Sequence, residues 1–123
     1  MTAVTSVDPL TSDLVTIDVS TSDSVARISA VGEIDSTSAP VLRERLEAVL
    51  AGDVQQFVVD LVGVTFLDSA GLCVLAAAHR TAAAQGVGMQ VLAASRAVIR
   101  PLQITGLWSL LGATRVEAAA GAA

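Results

Sequence analysis

Cysteine, lysine and aromatic residues are scarce or missing in this 123-residue chain. Its single cysteine, Cys73, allows no internal disulfide and no cysteine-based metal site. It has no lysine, and its seven basic residues are arginines spread from Arg27 to Arg115. With a net charge of −5, two phenylalanines and one tryptophan, it lacks the basic patch and the stacking platforms of a nucleic-acid-binding protein. We therefore expect no nucleic acid partner, and neither a metal ion nor a cofactor.

Long uninterrupted apolar runs are also missing, although 53% of the residues are hydrophobic. Charged residues interrupt every apolar stretch before it reaches the roughly 18 residues that a membrane helix needs. The N-terminal residues lack the basic region and apolar core of a secretory signal. These features predict a soluble, cytoplasmic protein with no membrane partner.

The length suits one domain, which we place at 13–117, after a flexible N-terminal lead at 1–12 and before a C-terminal tail at 118–123.

The apolar pattern predicts a hairpin followed by helices that alternate with strands. Residues 14–19 and 25–31 are extended segments on either side of a polar turn. A first helix begins near Pro40, with a serine or threonine of 36–38 as its N-cap, and Gly52 ends it. The other predicted elements are a buried central strand at 56–61, a loop at 62–67, a helix from Asp68 or Ser69 to about Ala84, a strand at 88–92, a third helix from Ser95 to Ile104 that Pro101 kinks or shortens, and an edge strand within 110–116.

This order of elements predicts an α/β fold. We expect a mixed sheet of about four to five strands, with the helices packed mainly on one side. The firmest part of the topology is the parallel pairing implied by the strand, helix and strand between Phe57 and Leu92.

Two short segments carry the functional signal. Gly32-Glu33-Ile34-Asp35 lies at the end of a predicted strand, and Phe-Leu-Asp-Ser-Ala-Gly-Leu, at 66–72, lies at the start of a predicted helix. In this order and at this separation they resemble the STAS domain family. Bacterial anti-sigma factor antagonists of that family carry a Gly-Glu-Leu/Ile-Asp segment, then an Asp-Ser-Ser/Thr-Gly-Leu-Gly segment whose first serine is phosphorylated. The resemblance covers roughly 13–117, nearly the whole chain.

The resemblance implies a regulatory protein and not an enzyme. Its partner would be an anti-sigma factor with serine kinase activity, which the unmodified protein binds so that sigma factor is freed. Phosphorylation would end this binding, and a phosphatase would be a further partner. The implied phosphorylation site is Ser69, and the residues implied to support partner binding or phosphorylation are Asp35, Asp68, Glu33 and Gly71.

A phosphate on Ser69 makes physical sense at a helix start. The first backbone N–H groups of a helix have no partner within it, and they carry the positive end of its dipole. Phosphorylation adds about −1.5 to −2 charge, which would make a surface that already holds Asp68, and by expectation Asp35, more acidic. Ala70 replaces the second hydroxyl residue of the family motif, so Ser69 is the only phosphoacceptor within it.

Several alternatives stay open. Ser69 could be only a helix N-cap, and Asp35 only a loop acid or a cap. The chain could also be a STAS domain that does not switch, either a scaffold in a signalling complex or a module that binds a nucleotide or small ligand. Cys73, near the helix start, is a minor candidate for redox sensing. A serine hydrolase is excluded, because the only histidine, His79, lies ten residues, or about 15 Å, along the same predicted helix.

Overall fold

The computed structural model describes residues 14–117 and contains five strands and four helices. The predicted lead at 1–12 and tail at 118–123 lie outside the described residues. In chain order the elements are β1 (Val15–Ser22), β2 (Val25–Ile34), α1 (Ala39–Leu50), β3 (Gln56–Leu67), α2 (Ser69–Gln85), β4 (Gly88–Ala93), α3 (Arg96–Ile104), α4 (Leu107–Leu110) and β5 (Ala113–Arg115).

The strands lie in the sheet in the same order as in the chain. β1 and β2 form an antiparallel hairpin, and β2 to β5 are parallel to one another. A helical crossover joins each parallel pair, and such crossovers are right-handed. Because every crossover steps in the same direction across the sheet, α1, α2 and α3 lie on the same face. The predicted α/β fold with a mixed sheet and helices mainly on one side is therefore confirmed, and β3 is central, as predicted.

The main core lies between this face and the helices. Ile28 of β2 pairs with Val59 of β3, which pairs in turn with Val91 of β4, and all three side chains are fully buried. From the helix layer, Leu42 and Leu75 are also fully buried. Residues that alternate with these along the strands face the uncovered side of the sheet.

The central strand β3 is longer than the sequence predicts. The predicted loop at 62–67 is wrong, because the strand continues without a break to Leu67. Two register shifts against β2 interrupt the alternation of buried and exposed residues. After Leu61 the next buried side chains are Val64 and Leu67, three positions apart and not two. Bulges of this kind hide a strand from a search for alternating hydrophobicity.

The remaining elements differ little from expectation. Ser95 caps α3 by accepting a hydrogen bond from the Ala97 N–H at 3.1 Å, and the helix ends three residues after Pro101. The sequence pattern does not predict the four-residue α4, and β5 is shorter than the predicted range. No helix within 14–117 has the length and apolar character to cross a membrane.

Candidate functional site

The two sequence motifs meet at the carboxyl ends of β2 and β3. In the parallel register Ile34 lies beside Leu67. The backbone N–H of Asp68 donates a hydrogen bond to the carbonyl oxygen of Ile34 at 3.2 Å. Asp35 and Ser69 therefore follow neighbouring strand ends, as the sequence motifs predict.

Ser69 is the exposed first residue of α2, and its neighbour Asp68 caps the helix. The Asp68 Oδ1 atom accepts hydrogen bonds from the backbone N–H groups of Ala70 at 2.9 Å and Gly71 at 3.4 Å. Within residues 14–117 the Ser69 hydroxyl makes no hydrogen bond. The alternative in which Ser69 is the N-cap is therefore wrong, because Asp68 has that role.

Asp35 is the centre of the turn between β2 and α1. Its Oδ1 atom accepts hydrogen bonds from the Thr37 hydroxyl at 2.7 Å, the Thr37 N–H at 2.8 Å and the Ser38 N–H at 3.1 Å. The hydrogen bond from the Thr37 hydroxyl, followed by those from the Thr37 and Ser38 backbone, lowers the pKa of Asp35 below its usual value, because these bonds stabilise the charged form. Asp35 is therefore a carboxylate at neutral pH, with one oxygen held in place.

Ser38 is the polar residue that sequence reasoning missed at this site. It is the N-cap residue of α1, as predicted for one of 36–38, but its side chain makes no capping hydrogen bond. Its hydroxyl instead donates to the Glu33 carbonyl oxygen at 2.7 Å and accepts from the Asp35 N–H at 2.9 Å. Ser38 is completely buried. A serine before a helix is expected to be a cap, so nothing in the sequence distinguishes this role.

The two glycines of the motifs bring backbone segments close together. A Cβ atom at Gly71 would overlap the Leu67 side chain and approach the Ile34 Cγ2 atom to 2.8 Å. Gly71 is buried, so its place in the site is to let α2 pack against both strand ends. Gly32 has a φ of +119°, and a Cβ atom there would overlap the carbonyl oxygen of Leu14.

The two motifs carry three acidic side chains. Glu33 is exposed, and Asp35 and Asp68 are partly exposed. Within residues 14–117 the only ion pair joins Arg27 and Asp60, so none of these three carboxylates is neutralised by an arginine. The motifs therefore combine the Ser69 hydroxyl with three carboxylates, and Arg43 and Arg80 line a neighbouring cavity with Ser36 and Ala70.

Known proteins resemble this chain over most of its length. The family model described as "Mlab, STAS domain" matches residues 17–112, which include both motifs. The anti-sigma-F factor antagonist RsfB of Mycobacterium tuberculosis is 37% identical over 95 residues, 77% of each chain. The anti-sigma-B factor antagonist of Bacillus subtilis is 33% identical over 97 residues, 79% of this chain and 88% of that protein.

A solved crystal structure shares the fold of this chain. The crystal structure of an anti-sigma factor antagonist from Mycobacterium paratuberculosis superposes with a TM-score of 0.76 at 35% identity, covering 86% of this chain and 87% of that one. The family match, the sequence relatives and the shared fold lead to one conclusion. The chain belongs to the STAS domain family.

Proposed function

We propose that this protein is an anti-sigma factor antagonist that binds an anti-sigma factor with serine kinase activity and loses that binding when Ser69 is phosphorylated. The observation that carries the proposal is the exposed Ser69 hydroxyl, which has no hydrogen bond because Asp68 caps the helix. The proposal is supported by the relatives, which are named anti-sigma factor antagonists.

The geometry suits Ser69 as a phosphoacceptor. Its oxygen would attack the terminal phosphorus of ATP bound to the kinase, the bond to ADP would break, and the hydroxyl proton would pass to a base of the kinase. No hydrogen bond of the antagonist has to break for this step. Asp68 caps the helix that begins at Ser69, so we assign it to positioning Ser69. We assign partner contact to Asp35 and Glu33, which lie at the carboxyl end of the neighbouring strand β2.

The charge of the phosphate would release the anti-sigma factor from the phosphorylated protein. The new phosphate would bring about −1.5 to −2 charge to a surface that already holds three carboxylates without arginine partners. In the complex it would also face the phosphates of the ADP from which it had just separated. A contact surface fitted to a neutral hydroxyl would have to desolvate this charge without a counter-ion, which is strongly unfavourable.

The proposal includes a cellular setting. We infer a cytoplasmic location, where the kinase, ATP and sigma factor are found, and a phosphatase that restores the hydroxyl. The protein itself acts by binding and has no catalytic role.

The decisive experiment is phosphorylation by the purified anti-sigma factor with ATP, followed by mass spectrometry of the peptides. We expect one phosphate, on Ser69, and none on the Ser69→Ala variant. Ser36→Ala, which changes an exposed serine in the neighbouring turn, is the matched control and should be phosphorylated normally. Phosphate elsewhere, with Ser69 unmodified, would refute the assignment.

Binding measurements separate the switch from the non-switching scaffold. Ser69→Glu should bind the anti-sigma factor at least about tenfold more weakly than the wild type, whereas Ser69→Ala should bind as the wild type does. Equal affinities for both variants would favour a STAS scaffold or ligand-binding module.

A further inference from the structure

A groove between the end of β3 and α3 lies beside the Ser69 site. Phe66 and Leu67 line it from β3, and α3 contributes chiefly Arg96, Arg100, Pro101 and Ile104. Leu67 precedes Ser69 by only two residues, so the groove adjoins the segment that carries Ser69. None of the steps proposed for phosphorylation uses it.

The groove exposes apolar surface. Phe66 is 45% exposed, and Ile104, at 73%, is the most exposed large hydrophobic side chain within residues 14–117. Single exposed apolar residues are common in proteins, but an aromatic and an aliphatic side chain in one groove are typical of a binding surface.

The groove also carries positive charge without a partner. Arg96, Arg100 and Ile104 are four residues apart in succession, so they follow one side of α3. Both arginines are exposed. α3 contains no acidic residue, and within residues 14–117 the only ion pair is the one between Arg27 and Asp60. Two unpaired guanidinium groups therefore flank apolar surface in a chain whose net charge is −5.

We propose that this groove binds an acidic, apolar segment of the anti-sigma factor. An aliphatic or aromatic side chain of that segment would contact Phe66 and Ile104, and its carboxylates would pair with Arg96 and Arg100. Charge complementarity selects this occupant, since guanidinium groups bind carboxylates through paired hydrogen bonds and aromatic residues and arginine are enriched in interfaces. The inference rests on the proposed function, because it names the same partner.

This second contact fixes the orientation of the complex. The two motifs carry the carboxylates of Glu33, Asp35 and Asp68, whereas the groove carries two arginines. A partner that matches both parts must keep its acidic groups toward α3 and away from the carboxylates of the motifs. A rotated partner would bring its carboxylates against those of Glu33 and Asp35, and such like-charge contacts are how charge patterns give specificity.

The test measures binding of the purified anti-sigma factor to single charge-reversal variants. Arg96→Glu and Arg100→Glu should each lower the affinity by about tenfold, and Ile104→Ser by about fivefold. The matched control is Arg45→Glu, an exposed arginine of α1 beside Val19 and Thr21 of β1. It changes the net charge by the same amount and should keep the affinity within about twofold. Raising the salt concentration should weaken wild-type binding more than binding of Arg100→Glu.

The outcomes distinguish this inference from the proposed function. If Ser69→Glu weakens binding but the groove variants bind as the wild type does, the groove proposal is wrong and the switch stands. If the groove variants bind weakly while Ser69→Glu does not, the groove stands and the switch is wrong. Failure of the wild type to bind would overturn both proposals. If Arg45→Glu loses as much affinity as the groove variants do, the loss is due to net charge and the groove proposal is wrong. Circular dichroism of each variant verifies that these surface substitutions leave the fold intact.

Discussion

The backbone N–H of Asp68 donates a hydrogen bond to the carbonyl oxygen of Ile34 at 3.2 Å. These residues immediately precede Ser69 and Asp35, which are more than thirty positions apart in the chain. The bond extends the pairing of β2 with β3 to the start of α2, so the turn that holds Asp35 and the helix that presents Ser69 have a fixed relative position. Substitutions in either motif are therefore expected to act on the same site.

Asp68→Ala should reduce the free energy of unfolding by about 1 kcal/mol, the usual effect of losing an N-cap. Asp68→Asn should be close to the wild type, because asparagine also accepts from the N–H groups of Ala70 and Gly71. Urea unfolding measures both. Ser69→Ala is the control and should cost little, since its hydroxyl caps nothing. A loss at Ser69 as large as that at Asp68 would contradict the assignment of the cap.

Ser38→Ala should destabilise the protein by about 1–3 kcal/mol, because it leaves the Glu33 carbonyl oxygen and the Asp35 N–H without their hydrogen-bond partner. The matched control is Ser36→Ala, which removes an exposed hydroxyl two residues earlier and should change stability little. Chemical denaturation of the two variants side by side is the measurement. Similar stabilities would mean that the buried hydroxyl contributes nothing to the turn.

Gly71→Ala should cost about 1–3 kcal/mol, since the added methyl group must displace Leu67 or Ile34 in a packed region. Gly52→Ala is the control, because a Cβ atom there would meet nothing closer than 3.5 Å. Thermal unfolding followed by circular dichroism should show a lower Tm for the first variant only. An unchanged Tm for Gly71→Ala would show that α2 can move away from the strands freely.

Asp35 gives the protein a defined response to acid. Its pKa is lowered in the folded state, chiefly by the Thr37 hydroxyl. The stabilisation is therefore fully present above the usual value of 3.8 and is lost as the pH falls through the lower folded value. The stability advantage of the wild type over Asp35→Asn should hold between pH 7 and the usual value of 3.8 and should shrink as the pH falls further, measured by denaturation at each pH.

A companion variant tests the cause of that response. Thr37→Val removes the hydroxyl donor while keeping the backbone N–H. The stability of this variant should fall with decreasing pH less than that of the wild type, and more than that of Asp35→Asn. A pH dependence identical to the wild type would show that the hydroxyl does not lower the pKa.

At neutral pH asparagine still accepts the backbone hydrogen bonds, so slower phosphorylation of Asp35→Asn with an intact fold would indicate a role in kinase recognition.

The sequence predicted the elements whose signals are local. Alternation identified the hairpin, and cap residues such as Ser95 located helix starts. The second half of β3 was missed because register shifts against β2 place its buried residues three apart, and no local pattern reveals a bulge formed with a neighbouring strand. Asp68 and Ser69 are both residue types that cap helices well, so only the observed hydrogen-bond distances show that Asp68 caps α2.

The division of roles between Asp68 and Ser69 also bears on the lifetime of the protein. Because the capping hydrogen bonds come from the aspartate, adding or removing a phosphate on the serine would break none of the bonds that start α2. Both forms would then keep the folded structure. The same molecules could pass through the cycle of phosphorylation and dephosphorylation many times without resynthesis.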